Sequence, residues 1–406
     1  GGLTIKIAVF HMGFMYSGGG ERTAIYECIL LGRRGHEVSC FAPAVRPDVC
    51  YPELIGKINL RGFIPRVKIN LPLRDFLSLS ASSFLAPAVS GKFKGFDAIL
   101  CHGQPATWIG YQVSMRLGKK YFCYLHQPAR FLYPREIDRK VGWKTKRDLA
   151  ILDHLVRLGK PFATAFDHIS VVSSEKVLVN SEWIGSQVRK IYGVNVIVCP
   201  PGVDVEKFSP AEKRPMLIVN GLRIDSPFIL TTNRHYPQKG LEYAIEMMPL
   251  LLKDYDVNLV ITGDFTYYTS KLMKLAKDLK VNEKVIFTNR VDEGSLIELY
   301  RSASVYAYTS PCEDFGLGPL EAMACGTPAV VWDYAGPSET VLDGVTGYKA
   351  RPYQIDDFVE KIARLLSDPD LNQRMAESGA RYVRERYSWD NHINMLEAVI
   401  AKPEEF

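Results

Sequence analysis

The chain has no apolar run approaching the ~18 residues of a membrane-spanning helix, so the sequence predicts a soluble or membrane-peripheral protein. Its start, GGLTIKIAVF, enters a strand-like pattern directly instead of a charged and then apolar leader. Eight cysteines are scattered, and none forms the CxxC pair of a metal or redox motif. Buried free thiols in a reducing cytoplasm are the expectation. The sequence also lacks a short repeat, a low-complexity tract and any recognisable nucleic-acid module, and no nucleic-acid partner is expected. No GxGxxG follows the first strand pattern, which weakens a dehydrogenase reading.

What is present is length, periodicity and an uneven charge. At 406 residues, with 47% apolar and 23% charged, the chain is ordinary globular protein too long for one core. Residues 1 to 204 carry 27 Lys and Arg against 15 Asp and Glu, a net +12, and the remainder carries 23 against 30, a net −7. Segregated charge of this kind speaks of partners, and a basic N-terminal half suits anionic lipid headgroups or nucleic acid.

Short apolar runs alternate with helical patterns, as βαβ units do. In the first half strands are predicted at Ile5 to Phe10, Glu37 to Phe41, Ala98 to His102, Tyr121 to Leu125, His168 to Val172, Val177 to Val179 and Val196 to Cys199. The second series runs Phe228 to Thr232, Val257 to Thr262, Lys284 to Phe287, Val305 to Tyr308 and Ala329 to Trp332. Helices are predicted at Glu21 to Arg33, Gly240 to Lys253 and Ile355 to Ser367. The expected fold is α/β, two doubly wound parallel-sheet domains with a cleft between them. Their predicted bounds are 1–204 and 205–389, followed by a C-terminal helix in 390–406 that packs back on the first domain. The proline-rich stretch from Pro200 to Pro227 reads as the join. Residues 44 to 95 read as a variable acceptor-side insertion.

Three clusters carry chemistry. Gly18 to Gly20 lie between the first strand and a helix predicted to start near Glu21, where bare backbone and a helix N-terminus can approach a phosphate. A tight βα turn is the plainer reading of the same glycines. In TTNRHYPQKG, Arg234 and Lys239 flank a turn at the carboxyl end of a strand, spaced to clamp two phosphates. A solvated pair near a helix start is the alternative. In SPCEDFGLGPLEAMACG, Glu313 and Glu321 frame Gly316, Gly318 and Pro319, with a helix expected from near Leu320. Glu321 then falls in the first turn, where it can accept hydrogen bonds from a pair of sugar hydroxyls or merely complement the helix dipole.

Together, the E-x7-E segment, the R-x4-K pair, the GGGE turn with RGHEV, and AGPSETVLDGVTGY resemble the large retaining glycosyltransferase family with the GT-B fold. That family is typified by sucrose synthase and by many bacterial and archaeal mannosyl- and glucosyltransferases. The resemblance implies that Arg234 and Lys239 bind a donor diphosphate, helped by Gly18 and Gly19. It implies that Glu321 holds the ribose, that Glu313 lies beside the donor sugar with the amides of Phe315, Gly316 and Leu317, and that the base sits near Arg290 and Val291. The family generally requires no metal, so a nucleoside diphosphate sugar is the expected co-substrate and no cofactor is expected.

His126, in YLHQPARFLY, matches a family histidine that contacts the donor sugar. The surrounding H-x-P-x-R-[FY], with Arg130 and Phe131, resembles mannosyltransferases that use GDP-mannose. The expected reaction is hexosyl transfer to a glycan or lipid-linked acceptor, with GDP-mannose or a UDP-sugar as donor. A non-catalytic nucleotide-sugar-binding scaffold is the competing class. Arg130, Arg135, Arg139, Lys140, Lys144, Lys146 and Arg147, with interleaved aromatics, are expected either to lie on the inner face of a membrane or to bind the acceptor.

Overall fold

The computed structural model describes residues 4–43, 45–62, 90–141 and 150–406. The chain folds as two compact units. The first takes the described residues of Gly1–Arg135, Trp143–Pro201 and Trp389–Phe406, and the second takes those of Glu136–Gly142 and Gly202–Ser388.

In unit 1 the strands are β1 (Lys6–His11), β2 (Glu37–Ala42), β3 (Leu60–Gly62), β4 (Ala98–His102), β5 (Lys120–Leu125), β6 (Val177–Val179) and β7 (Ile197–Val198). All pair in parallel, in the order β3-β2-β1-β4-β5-β6-β7. Successive residues of β1 serve opposite cores: Ile7 and Val9 belong to one apolar cluster, Ala8 and Phe10 to the other. A strand covered on both faces has no need of polar alternation, which is why IAVF within KIAVFH reads as a continuous apolar run.

Unit 2 opens with an antiparallel hairpin, β8 (Met216–Val219) and β9 (Leu222–Asp225), turned at Asn220 and Gly221 with positive φ. A parallel sheet follows: β10 (Phe228–Thr232), β11 (Asn258–Thr262), β12 (Val285–Asn289), β13 (Val305–Tyr308), β14 (Ala329–Trp332) and β15 (Gly347–Ala350). Its order is β12-β11-β10-β13-β14-β15, so the winding reverses between β10 and β13. In such sheets ligands gather beyond the carboxyl ends of the strands at the reversal.

Four sequence expectations are corrected. His168 to Val172 is the end of the helix Ala150–Val172, not a strand, and its buried positions Asp167, Ser170 and Val171 follow helical spacing rather than alternation. The helix predicted over Gly240 to Lys253 is two, Leu241–Glu246 and Met248–Leu251, divided ahead of Pro249, which has no N–H to continue the first. The stretch read as a join contains the β8–β9 hairpin. The helix after the glycine cluster begins at Gly19, two residues before Glu21.

The chain returns to unit 1 in the helix Trp389–Ala401, which packs on the helix Gly19–Arg33. Trp389 stacks on Tyr26 with ring centroids 4.6 Å apart, and Ile393, Leu396, Val399 and Ile400 join the same core. Five such side chains contribute on the order of 10 kcal/mol as an upper bound. At the rim, Glu397 accepts from Arg34 (2.8 Å) and pairs with His36 (3.1 Å).

Candidate functional site

The two loops at the winding reversal of unit 2 hold Arg234, Lys239 and Glu313, three of the charged residues singled out in the sequence. After β10 the chain passes through Asn233 and Arg234 to a short 3-10 turn, Pro237–Lys239, closed by Gly240 at φ 59°. After β13 it runs through Thr309 and Ser310 to Glu313. The loops touch at Gly240, where a Cβ would sit 2.6 Å from the Thr309 carbonyl oxygen and 2.8 Å from Pro311. Lys239 forms an ion pair with Glu313, and the same carboxylate oxygen accepts from Tyr308 (3.1 Å) and Ser310 (3.3 Å). Burial, reinforced by Glu313, pushes the Tyr308 hydroxyl well above its ordinary pKa, so it stays a donor. Arg234 is exposed, its guanidinium over the Tyr236 ring at 5.8 Å.

The helix carrying Glu321 begins at Leu317, not near Leu320, because Pro319 is tolerated in a first turn whose N–H groups have no helical partner. Glu321 is therefore in the second turn, and dipole complementation at the first turn does not account for it. It is buried and accepts from Tyr300 (3.0 Å), whose hydroxyl contacts Thr232 (3.2 Å), which contacts Tyr306 (2.6 Å). A Cβ at Gly318 would collide with the Tyr306 hydroxyl, so glycine lets this helix approach the end of β10. Gly316, at φ 97°, precedes the helix with no side-chain cap, and the first-turn amides point beyond the helix end. Phe315 is buried against Tyr387. Arg290 and Val291 follow β12, and the Arg290 carbonyl accepts from Asn220 of the hairpin turn (3.0 Å).

In unit 1 the glycine turn and His126 come together. Gly19 is exposed at the helix start, Gly18 caps it, and a Cβ on Gly20 would lie 3.4 Å from the His126 ring. The adjacent strands β1 and β4 both end in histidine, His11 opposite His102, and His126 follows the end of β5. His102 Nδ1 is 3.1 Å from His126 Nε2. Burial, helped by His102 and His11, holds His126 well below the usual histidine pKa. Burial and His102 likewise hold His11 down at about 3.

Of the basic segment, Arg130 is buried, its Nε donating to Gln127 (2.9 Å), so it does not present its charge on a surface. Arg135 is half-buried, and Arg139 and Lys140 fall in the helix Glu136–Val141. Lys144, Lys146 and Arg147 lie outside the described residues, as does much of the segment 44 to 95. Among the described residues no helix is long and apolar enough to cross a membrane.

The sequence reading missed Thr232, Tyr300, Tyr306, Tyr308 and Ser310, which arrange the two glutamates, and Gly263, beside Asn233 and Arg234. It also missed His11, His102 and Glu27. The signal available for the histidines was the repeated ending of apolar strands in VFH, LCH and YLH.

The family model described as Glycosyl transferases group 1 matches residues 216–382, and that described as Glycosyltransferase Family 4 matches residues 17–207. An uncharacterized glycosyltransferase of Methanocaldococcus jannaschii is 30% identical over 375 residues, covering 89% of this chain and 88% of that protein. A D-inositol 3-phosphate glycosyltransferase of Acidothermus cellulolyticus is 31% identical over 381 residues, covering 89% of this chain and 81% of its own length. The crystal structure of Anabaena HepE in complex with UDP-glucose superposes with a TM-score of 0.73 at 18% identity, covering 98% of this chain and all of that one. With parallel α/β sheets in both units and near full-length relatives, the chain belongs to the group 1, family 4 glycosyltransferases of GT-B fold, which use nucleotide-sugar donors.

Proposed function

We propose that this chain is a retaining hexosyltransferase whose unit 2 holds a nucleoside diphosphate hexose. The observation that carries the reading is the joining of Lys239, Glu313, Tyr308 and Ser310 at the winding reversal of the sheet. Arg234 and Lys239 take the diphosphate, and their fixed charge stabilises the negative charge that develops as the glycosidic bond to phosphate breaks. Glu321, held by Tyr300, accepts from the ribose hydroxyls, and the backbone near Arg290 and Val291 meets the base. Glu313 and the amides of Phe315, Gly316 and Leu317 lie along the hexose. Retention follows from attack on the face the diphosphate leaves, the departing phosphate taking the acceptor's proton. Gly18, Gly19 and His126 belong to the acceptor-side unit.

For the donor, the sequence around His126 favours GDP-mannose, and the likeness to a structure holding UDP-glucose supports a UDP-hexose as the second reading. The acceptor is a sugar hydroxyl of a glycan or lipid-linked saccharide, reached at a membrane surface through the basic residues that follow Arg130. Calorimetric titration with GDP, UDP and ADP, repeated on Arg234→Ala, tests the core of the reading. One nucleotide should bind at micromolar concentration and lose roughly tenfold or more in the variant. Binding by none of the three would overturn it.

A further inference from the structure

Glu27, in the helix Gly19–Arg33, is a fully buried carboxylate, which is costly unless its charge is answered. Two histidines from distant parts of the chain answer it. His392 places Nε2 2.9 Å from one Glu27 oxygen and Nδ1 2.8 Å from the Pro200 carbonyl oxygen, with the Cys199 sulfur also 3.4 Å from Nδ1. Carboxylate and carbonyl oxygens only accept, so both ring nitrogens of His392 carry hydrogen and the ring is a cation. Glu27 and His392 therefore neutralise each other inside the unit. The geometry agrees with the titration directions: burial opposes it, but Cys199 and Glu27 hold His392 well above its usual pKa.

The second Glu27 oxygen lies 2.7 Å from His102 Nε2, although the approach is bent away from a straight hydrogen bond. That nitrogen faces an acceptor, so it bears the hydrogen. A second imidazolium beside one already neutralised carboxylate, between His11 and His126, would leave a net positive charge in the core, so His102 is neutral and its Nδ1 is a lone pair. Its Nδ1 partner, His126 Nε2 at 3.1 Å, must then donate. The other ring nitrogen of His126, Nδ1, has no hydrogen bond to a described residue and carries the lone pair.

We propose that Glu27 and His102 are positioning residues that fix the His126 ring in the Nε2–H tautomer, presenting Nδ1 as the acceptor for a substrate hydroxyl. A Cβ at position 20 would just reach van der Waals contact with the same ring, at 3.4 Å, so the glycine lines one side of it. The role assigned to His126 rests on the transferase reading above, but the tautomer does not.

Two measurements test it. In protein labelled with ¹⁵N at histidine, long-range ¹H–¹⁵N correlation should show His126 and His102 as neutral Nε2–H tautomers and His392 doubly protonated, with His126 assigned from the spectrum of His126→Asn. An Nδ1–H tautomer at His126 overturns the proposal whether or not any activity is found. In transfer assays with the donor selected by nucleotide binding, His102→Leu should lower kcat roughly 10- to 100-fold while leaving KM for the donor unchanged. His102→Gln, whose amide oxygen can still accept from His126, should restore most of that loss. Unchanged kcat in His102→Leu, or equal damage from Leu and Gln, overturns it. A wild type with the expected tautomers but no transfer from any donor would instead fail the functional reading.

Discussion

Replacing Gly263 with alanine should weaken nucleotide binding without removing any residue proposed to touch the nucleotide. Gly263 follows β11 at φ 147°, and a Cβ there would overlap the Asn233 carbonyl oxygen, lie 2.5 Å from its carbon and come within 3.1 Å of the Arg234 amide nitrogen. Ordinary carbon contacts begin at about 3.5 Å, so the Asn233–Arg234 backbone must move by about 1 Å. Arg234 has been assigned to the diphosphate, and a displaced charge-assisted hydrogen bond forfeits about 1.5–3 kcal/mol. That corresponds to roughly a 10- to 100-fold loss of affinity. Gly344→Ala separates strain from displacement, since that glycine also has positive φ (73°) but open space where the methyl would go. It should cost about 1 kcal/mol of stability and nothing in binding. Calorimetry with the preferred nucleoside diphosphate, alongside thermal melting of both variants, gives the comparison. A folded Gly263→Ala protein that binds as tightly as wild type would refute the reasoning.

Lys239→Met should weaken a nucleoside diphosphate by roughly tenfold or more and the corresponding nucleoside much less, and equal losses for both would remove Lys239 from the phosphates. Its ion pair with Glu313 is partly exposed, so the melting temperature should move little, in keeping with less than about 1 kcal/mol for such pairs. Acid should destabilise the protein early. Burial holds His235 down at about 4 and His11 at about 3, and His126 is also well below normal. An unfolded chain binds these protons near pH 6.5, so the stability they contribute is full above pH 6.5 and shrinks by a few kcal/mol, to order of magnitude, toward pH 4. Glu27, raised by burial but held at about 2 by His102 and His392, acts in the same direction only below about pH 4.5. A melting temperature that holds steady from pH 6.5 to 4.5 would contradict these assignments.

The central strands could be read from sequence because both faces of each sheet are covered, which leaves runs such as AVVW without polar interruption. The β8–β9 hairpin escaped for the opposite reason: Met216, Ile218 and Leu222 face solvent and the strands are four residues long among prolines and charges. HISVV misled through its β-branched residues, whose preference was overridden by a longer helix. At the site, Glu313 and Lys239 were legible because strand ends and loops are where such residues are looked for. The tyrosines behind Glu321 were not, since Tyr306 inside an apolar strand and Tyr300 on the buried side of a helix both look like core. The Glu27–His392 contact spans 365 residues, and no local pattern announces a pairing of that length.

The return of the last helix to unit 1 also sets an order of events during synthesis. Domains emerging from the ribosome usually fold from the N-terminus onward, yet here the first sheet waits for residues 389–406, which follow the whole of unit 2. Until His392 emerges, Glu27 has no cation to face, and Tyr26 lacks the ring that stacks on it. A chain ending at residue 388 should therefore leave unit 1 aggregation-prone while unit 2 folds, and adding the peptide of residues 389–406 in trans should recover it, as followed by hydrogen exchange of β1. Completion of the first unit therefore comes after the whole of the second has left the ribosome.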